Sequence, residues 1–248
     1  MRESPGSLSR LATTSRFSLR FHSMRKTSSS TNTFVWLAPL LGVGYVLSAG
    51  PSSAWTSAKG PLTDAIHQQA IDKVLSKSMS SADRAILDDE QSLVDKDQEP
   101  EQSAEHAMTG ITKEGQDEAK ERTVYIGLSE DLIHKMFASA IAARNASDNA
   151  NAMKALGKAI HMLEDSTSPA HRGFQVWSSQ FGIWEMAHHV LKERVYPDDR
   201  TADHYQSHLE GAVSYAYDIY MGTAPIPPHF FDPTSGNVFI PPNYLHTY

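Results

Sequence analysis

The run His161-Met-Leu-Glu-Asp165-Ser-Thr-Ser-Pro-Ala-His171 combines two imidazoles and a carboxylate in the pattern His-x3-Asp-x5-His, where an apolar helical pattern gives way to a Ser/Pro turn. Four residues are just over one α-helical turn, so His161 and Asp165 project from one face and can grip one ion, or two neighbouring ions, together. Pro169 forces the chain off the helix and returns His171 toward that face. Further on, His189-Val-Leu-Lys-Glu193 repeats the i, i+4 pairing of imidazole with carboxylate. These are ligands that zinc accepts in hydrolytic sites, and a site short of protein ligands keeps a position for water. The chain has no cysteine. Disulfides and thiolate metal sites are therefore excluded, and any metal must be held by His, Asp, Glu or backbone.

Helices are needed to deliver such residues inward, and 248 residues at 40% hydrophobic content suffice for one substantial core. Leu62, Ile66, Ala70 and Ile71, with Pro61 just before them, predict an amphipathic helix that carries His67. A second opens at Ser81-Ala-Asp83, turns Ile86, Leu87 and Val94 inward, and runs into the charged stretch Asp95 to Pro100. A loop and short helix containing His106 follow. Ser129-Glu-Asp131 reads as an N-cap with acids in the first turn, ahead of Leu132, Ile133, Met136, Phe137, Ala140 and Ile141. After a break at Asn145 to Asn149, the stripe Met153, Leu156, Ile160 and Leu163 marks the helix that ends in the His-x3-Asp pair. Further helices are expected over about Phe181 to Val195 and Ala202 to Met221. Pro225, Pro227, Pro228, Pro233, Pro241 and Pro242 bar a regular helix from the tail and predict an extended segment that wraps the surface. With few convincing strands, the expected class is all-α, as one multi-helix domain over 55–222 and a Pro-rich extended tail over 223–248.

Residues 1–54 have a different character. Their single acid is Glu3, their bases are Arg2, Arg10, Arg16, Arg20, Arg25 and Lys26, and an apolar run from Phe34 to Val46 precedes the small, turn-prone Ser48 to Ala54. Basic, apolar, then small is the order of a secretory signal peptide, so cleavage after Ala54 and a secreted or periplasmic destination are expected. Starting at Met24 gives that signal conventional proportions. An organellar presequence and a membrane anchor are the rivals, though the apolar run is shorter than the roughly 20 residues that span a bilayer. The formal net charge of the whole chain is −7, and the cut would leave 16 basic against 28 acidic residues, about −12. That disfavours broad polyanion binding through surface charge. Divalent ions gathered in one cleft would restore positive charge locally, where an anionic phosphate could be drawn.

His161-x3-Asp165-x5-His171 followed by His189-x3-Glu193, in a helical chain without Cys ligands, resembles the zinc-dependent phospholipase C family and its relatives, the single-strand-specific zinc nucleases. The resemblance implies a trinuclear zinc cleft, Zn2+ being the cofactor, that also uses the free amine and carbonyl oxygen of a mature N-terminal Trp. Cleavage after Ala54 would make Trp55 that residue. His67, about a dozen residues on, and then Asp95 and His106 match the next ligands in family order. One zinc would take Asp95, His106, His161 and Asp165. A second would take Trp55, His67 and a bridging Asp165, and a third His171, His189 and Glu193. The resemblance further implies phosphodiester hydrolysis by a zinc-activated water, zinc lowering the pKa of a bound water to about 7, with Asp95 as the catalytic base that orients it. The expected substrate is a phospholipid head group, met in transient contact with a membrane surface, or alternatively single-stranded DNA or RNA. No obligate protein partner is implied.

Other assignments compete at several positions. Asp88, Asp89 and Asp97 rival Asp95 as helix-end charges. His188 could replace His189, but its i+4 partner is Lys192, which cannot ligate, and Glu185 could pair backward with His189. His134, His204, His208, His229 and His246 read as structural or surface residues, and Arg172 as a phosphate contact or a solvated charge. Tyr215, Tyr217 and Tyr220, at helical spacing, read as packing of the last helix. Beyond enzymes, a secreted metal-binding or interaction module that keeps its ligands for stability fits the same pattern.

Overall fold

A computed structural model describes residues 66–96, 100–111, 113–178, 196–197 and 205–245. The proposed signal, Trp55, and the stretch bearing His189 and Glu193 lie outside the described residues. Helix dominates, as the sequence pattern requires: α1 (Ile66–Leu75), α2 (Ser81–Val94), α3 (Glu118–Asn145), α4 (Asn149–Thr167) and α5 (Tyr205–Met221), with 3-10 turns at Pro100–His106 and Pro242–Tyr244. No helix among the described residues is long and apolar enough to cross a membrane.

The central element is α4, which packs on α2, α3 and α5. Its N-terminal half is amphipathic, but every residue from Ala159 to Thr167 is buried. A helix buried all round must satisfy its own polar groups. Ser166 and Thr167 do so locally, donating from their hydroxyls to the carbonyls of Leu163 and Glu164 at 2.7 Å each. The helix starts at Asp148, whose carboxylate accepts from the Asn151 N–H, and stops at Ser168, whose extended backbone (ψ 141°) is what a residue before proline adopts. At the crossing with α2, Gly157 removes a side chain that would meet the Leu87 carbonyl oxygen and the Glu90 Cβ at 3.2 Å. The two helices therefore approach closely enough to share one buried site.

Helix α3 departs from expectation. Its cap is Asp117, which accepts from the N–H groups of Ala119 and Lys120, and the helix runs through Ser129 without a break. Ser129 is no N-cap: it is buried in mid-helix and its hydroxyl donates to the Ala104 carbonyl at 2.7 Å. A serine followed by acids carries the local signature of a cap, but here a tertiary acceptor satisfies the hydroxyl and frees the backbone to stay helical. Two three-residue strands, β1 (Thr109–Ile111) and β2 (Val176–Ser178), pair in parallel with Thr109 opposite Val176. They join the segment after His106 to the segment after His171.

The proline-rich tail forms no α-helix among the described residues, and it is more than a surface wrap. Phe230 and Phe231 are fully buried and Ile240 nearly so. Phe230 stacks on Phe137 of α3, with ring centroids 5.4 Å apart. Glu130 accepts from the backbone N–H groups of both phenylalanines at 2.8 and 2.7 Å. Tyr244 closes the tail by donating to Asp218 of α5 at 2.8 Å. Proline denies this segment a helix but leaves its aromatics free to fill the gap between α3 and α5.

Candidate metal centre

Six of the nine expected ligands are described, and all six converge. His67 comes from α1, Asp95 from the C-terminal end of α2, His106 from the end of its 3-10 turn, His161 and Asp165 from adjacent turns of α4, and His171 from the turn after Pro169. Asp95 is the most exposed of them at 6%, and His67, His161 and Asp165 are at 0%. Burial on this scale is costly for ionisable groups unless they meet partners.

Asp165 is the hub. Its Oδ2 accepts from His106 Nδ1 at 2.9 Å and lies 3.1 Å from His161 Nε2 and 3.9 Å from His171 Nδ1. Its Oδ1 lies 3.4 Å from His67 Nε2. Asp95 approaches the same nitrogen of His161 as Asp165 does, its Oδ1 3.6 Å from Nε2. Two overlapping sets have ligand atoms within 4.8 Å of one another, His67 with His161 and Asp165, and Asp95 with His106 and His161. The second set holds three of the four ligands expected from sequence for the first zinc, without Asp165, and His161 is common to both sets. In the first set His161 stands beside His67 and Asp165, and Trp55 lies outside the described residues. His171 reaches the hub, while its expected companions His189 and Glu193 lie outside the described residues.

Donor chemistry suits a divalent cation. Among the described residues, His67 Nε2 and Asp165 Oδ1 face each other fully buried with no hydrogen-bond partner, and His161 Nδ1 has none either. Imidazole nitrogen opposite carboxylate oxygen is the pairing that zinc accepts. At Asp165 and His171 the electrostatics point the same way. Burial would raise the Asp165 carboxyl, but the surrounding His161 and His171, with hydrogen bonds from His106 and His161, hold it well below the usual range. Burial pushes His171 down to about 4, keeping it neutral and ligand-ready near neutral pH. His67 is held well above its usual value: burial opposes its charge, but Glu164 and Asp165 outweigh burial.

Two rivals of Asp95 fall away: Asp89 is exposed, and Asp88 is half-buried under the influence of Asp72, Arg84 and Gln68. Asp97 lies outside the described residues. Arg172 is exposed. Tyr215 and Tyr220 are buried in the core, and Tyr217 donates to the Ser78 carbonyl, so all three serve packing.

Beyond the expected ligands lies a supporting layer. His67 Nδ1 donates to Glu164 Oε2 at 2.9 Å, and Gln91 Nε2 donates to the same oxygen at 2.6 Å. Burial pushes the Glu164 carboxyl up to about 7 against the pull of His67. His171 Nδ1 likewise donates to the His106 carbonyl at 2.5 Å. Immediately after His106, Ala107 takes a left-handed conformation (φ 51°) that ends the 3-10 turn. Glu164 and Gln91 carried a signal of their own: each lies four residues beyond an apolar stripe residue, Ile160 and Leu87, so each is a polar residue on a buried stripe.

Against known proteins, the chain matches no family model, no curated protein and no solved structure.

Proposed function

We propose that this chain is an exported zinc-dependent phosphodiesterase that cleaves phospholipid head groups in the manner of a phospholipase C. The observation that carries the proposal is the Asp165 hub: four histidines gather on one buried carboxylate, Asp95 meets one of them, His161, and His67 Nε2 and Asp165 Oδ1 face each other with no hydrogen-bond partner among the described residues. His67, Asp95, His106, His161, Asp165 and His171 would hold the metal, and Trp55, His189 and Glu193 would complete a trinuclear set. Bound zinc supplies Lewis acidity and makes water nucleophilic near neutral pH.

The chain's own residues have separate tasks. His161 is common to the two ligand sets, and Asp165 links them, its Oδ1 facing His67 and its Oδ2 meeting His106. Asp95, on the edge of the cluster at the end of α2, is the base that takes the proton from the attacking water. The carbonyl of His106 orients His171, leaving its Nε2 for ligation. Export with cleavage after Ala54 would present Trp55 as the mature N-terminus.

The test is direct: purify the mature protein, count zinc by elemental analysis, and assay phosphatidylcholine against single-stranded DNA with and without chelator. Chelator-sensitive release of the phosphorylated head group supports the proposal. Turnover of DNA alone moves the assignment to a single-strand nuclease on the same site. One observation favours a third reading: with every described ligand at least nine-tenths buried, a metal held for stability alone fits too. Bound zinc with no turnover of either substrate would establish that reading. N-terminal sequencing tests the role of Trp55.

A further inference from the structure

We infer that Glu164 is a positioning residue of this centre: through a hydrogen bond to Nδ1 it holds the His67 ring with Nε2 turned toward Asp165, without being a ligand itself. The inference rests on the metal reading above and deepens it. Glu164, His67 and Gln91 are all at 0% exposure. A carboxylate withdrawn from water is costly unless donors meet it, and here two donors converge on one oxygen, Gln91 Nε2 at 2.6 Å and His67 Nδ1 at 2.9 Å.

The geometry makes His67 a bridge between adjacent acids of α4. Its Nδ1 is tied to Glu164 and its Nε2 lies 3.4 Å from Asp165 Oδ1. Neighbouring helical positions diverge by about 100° around the axis, so only a ring clamped on one edge reaches both. Glu164 lies on the Nδ1 edge, away from Asp165, which bars it from sharing an ion with Nε2. Gln91 fixes the carboxylate from α2, the helix that also ends in Asp95. One hydrogen-bonded chain, Gln91 to Glu164 to His67, therefore ties α2, α4 and α1 to the orientation of a single ligand. A ligating histidine whose second nitrogen is held by a carboxylate has its ring orientation fixed and its basicity raised, and loss of such a partner weakens metal binding.

The experiment uses the same mature protein, with Zn2+ as the probe, its affinity read by competition with a chromophoric chelator, and helical content by far-UV circular dichroism. Glu164→Ala leaves the His67 Nδ1–H without its acceptor and is expected to weaken zinc binding roughly 10- to 100-fold with helicity unchanged. Glu164→Gln keeps an oxygen for both donors and is expected to stay within about threefold of wild type, well short of the loss from removing the partner outright. Nitrogen-15 spectra of the zinc-loaded protein should show the His67 proton on Nδ1 in wild type and in Glu164→Gln.

Equal affinity in wild type and Glu164→Ala overturns the inference. So does a Glu164→Gln variant that folds yet binds as weakly as Glu164→Ala, because charge rather than ring orientation would then be the contribution. Should Glu164→Ala fail to fold, Gln91→Leu carries the test: it releases the Glu164 carboxylate, is expected to weaken zinc several-fold, and overturns the inference if affinity is unchanged. A wild-type chain that binds no zinc sinks the metal reading itself, an outcome distinct from a silent variant.

Discussion

Asp165→Asn is the most informative single perturbation, because one carboxylate touches members of both ligand sets, Oδ1 facing His67 and Oδ2 meeting His106 and His161. In the metal-free fold the exchange is mild. The amide oxygen can replace Oδ2 as acceptor for His106, now at 2.9 Å, while the NH2 group faces His67 across the 3.4 Å gap at Oδ1. What is lost is the charge on hydrogen bonds to His106 and His161, about 1–3 kcal/mol in all. Zinc binding suffers more. Removing a supporting partner alone costs roughly 10- to 100-fold in metal affinity, and an anionic ligand shared by two ions should cost at least that at each of them. A 100-fold loss is about 2.7 kcal/mol per site. The assay is zinc per chain after dialysis against a buffered chelator that leaves wild type loaded, beside turnover of phosphatidylcholine and single-stranded DNA. The expected result is loss of two ions and of activity with helicity retained. His171→Ala, at the periphery of the hub (3.9 Å), should lose a single ion. An Asn variant that keeps the wild-type zinc content and affinity would refute the shared-carboxylate reasoning.

Other outcomes follow from single contacts. Phe230→Ala removes a fully buried ring stacked on Phe137 and should cost about 3–5 kcal/mol, read as a lowered denaturation midpoint; an effect below about 1 kcal/mol would mean the tail is not part of the core. Gly157→Ala pushes a methyl against the Leu87 backbone at 3.2 Å and should cost about 1–3 kcal/mol, together with weaker zinc binding as α2 and Asp95 move off α4. Asp88 is raised from 3.8 to about 6, first by burial and then by Asp72. Because the folded value is the higher, the folded chain holds this proton more tightly, and stability falls as pH rises from 3.8 to about 6. That rise is worth ~3 kcal/mol at full weight and about 1 kcal/mol after screening at a half-buried carboxylate. Asp88→Asn should therefore stabilise at pH 7 and be neutral below the window, checked by urea melts at both ends. Stripping zinc from the loaded protein should lower the thermal midpoint reversibly; free zinc at 100 times the Kd is worth ~2.7 kcal/mol per site.

Local periodicity decided much of this protein in advance. The stripe of α4, its break near Asn145 and its stop before Pro169 are one-dimensional signals, since helix phase and proline geometry act within a few residues. The same phase put His161 and Asp165 on one face, so the grip at the centre of the site was written in an i, i+4 spacing. Tertiary structure decided what sequence neighbours cannot specify. Asp95 rather than Asp88 or Asp89 meets His161, because the choice depends on how α2 crosses α4 over Gly157. Ser129 spends its hydroxyl on the Ala104 carbonyl instead of capping a helix, because an acceptor 25 residues away in sequence lies 2.7 Å away in space. The tail's phenylalanines enter the core because α3 and α5 leave a gap that their rings fill. Glu164, beside Asp165 in the chain, faces His67 and Gln91 instead of water, since a buried carboxylate is tolerated only where the fold supplies donors, and those come from α1 and α2.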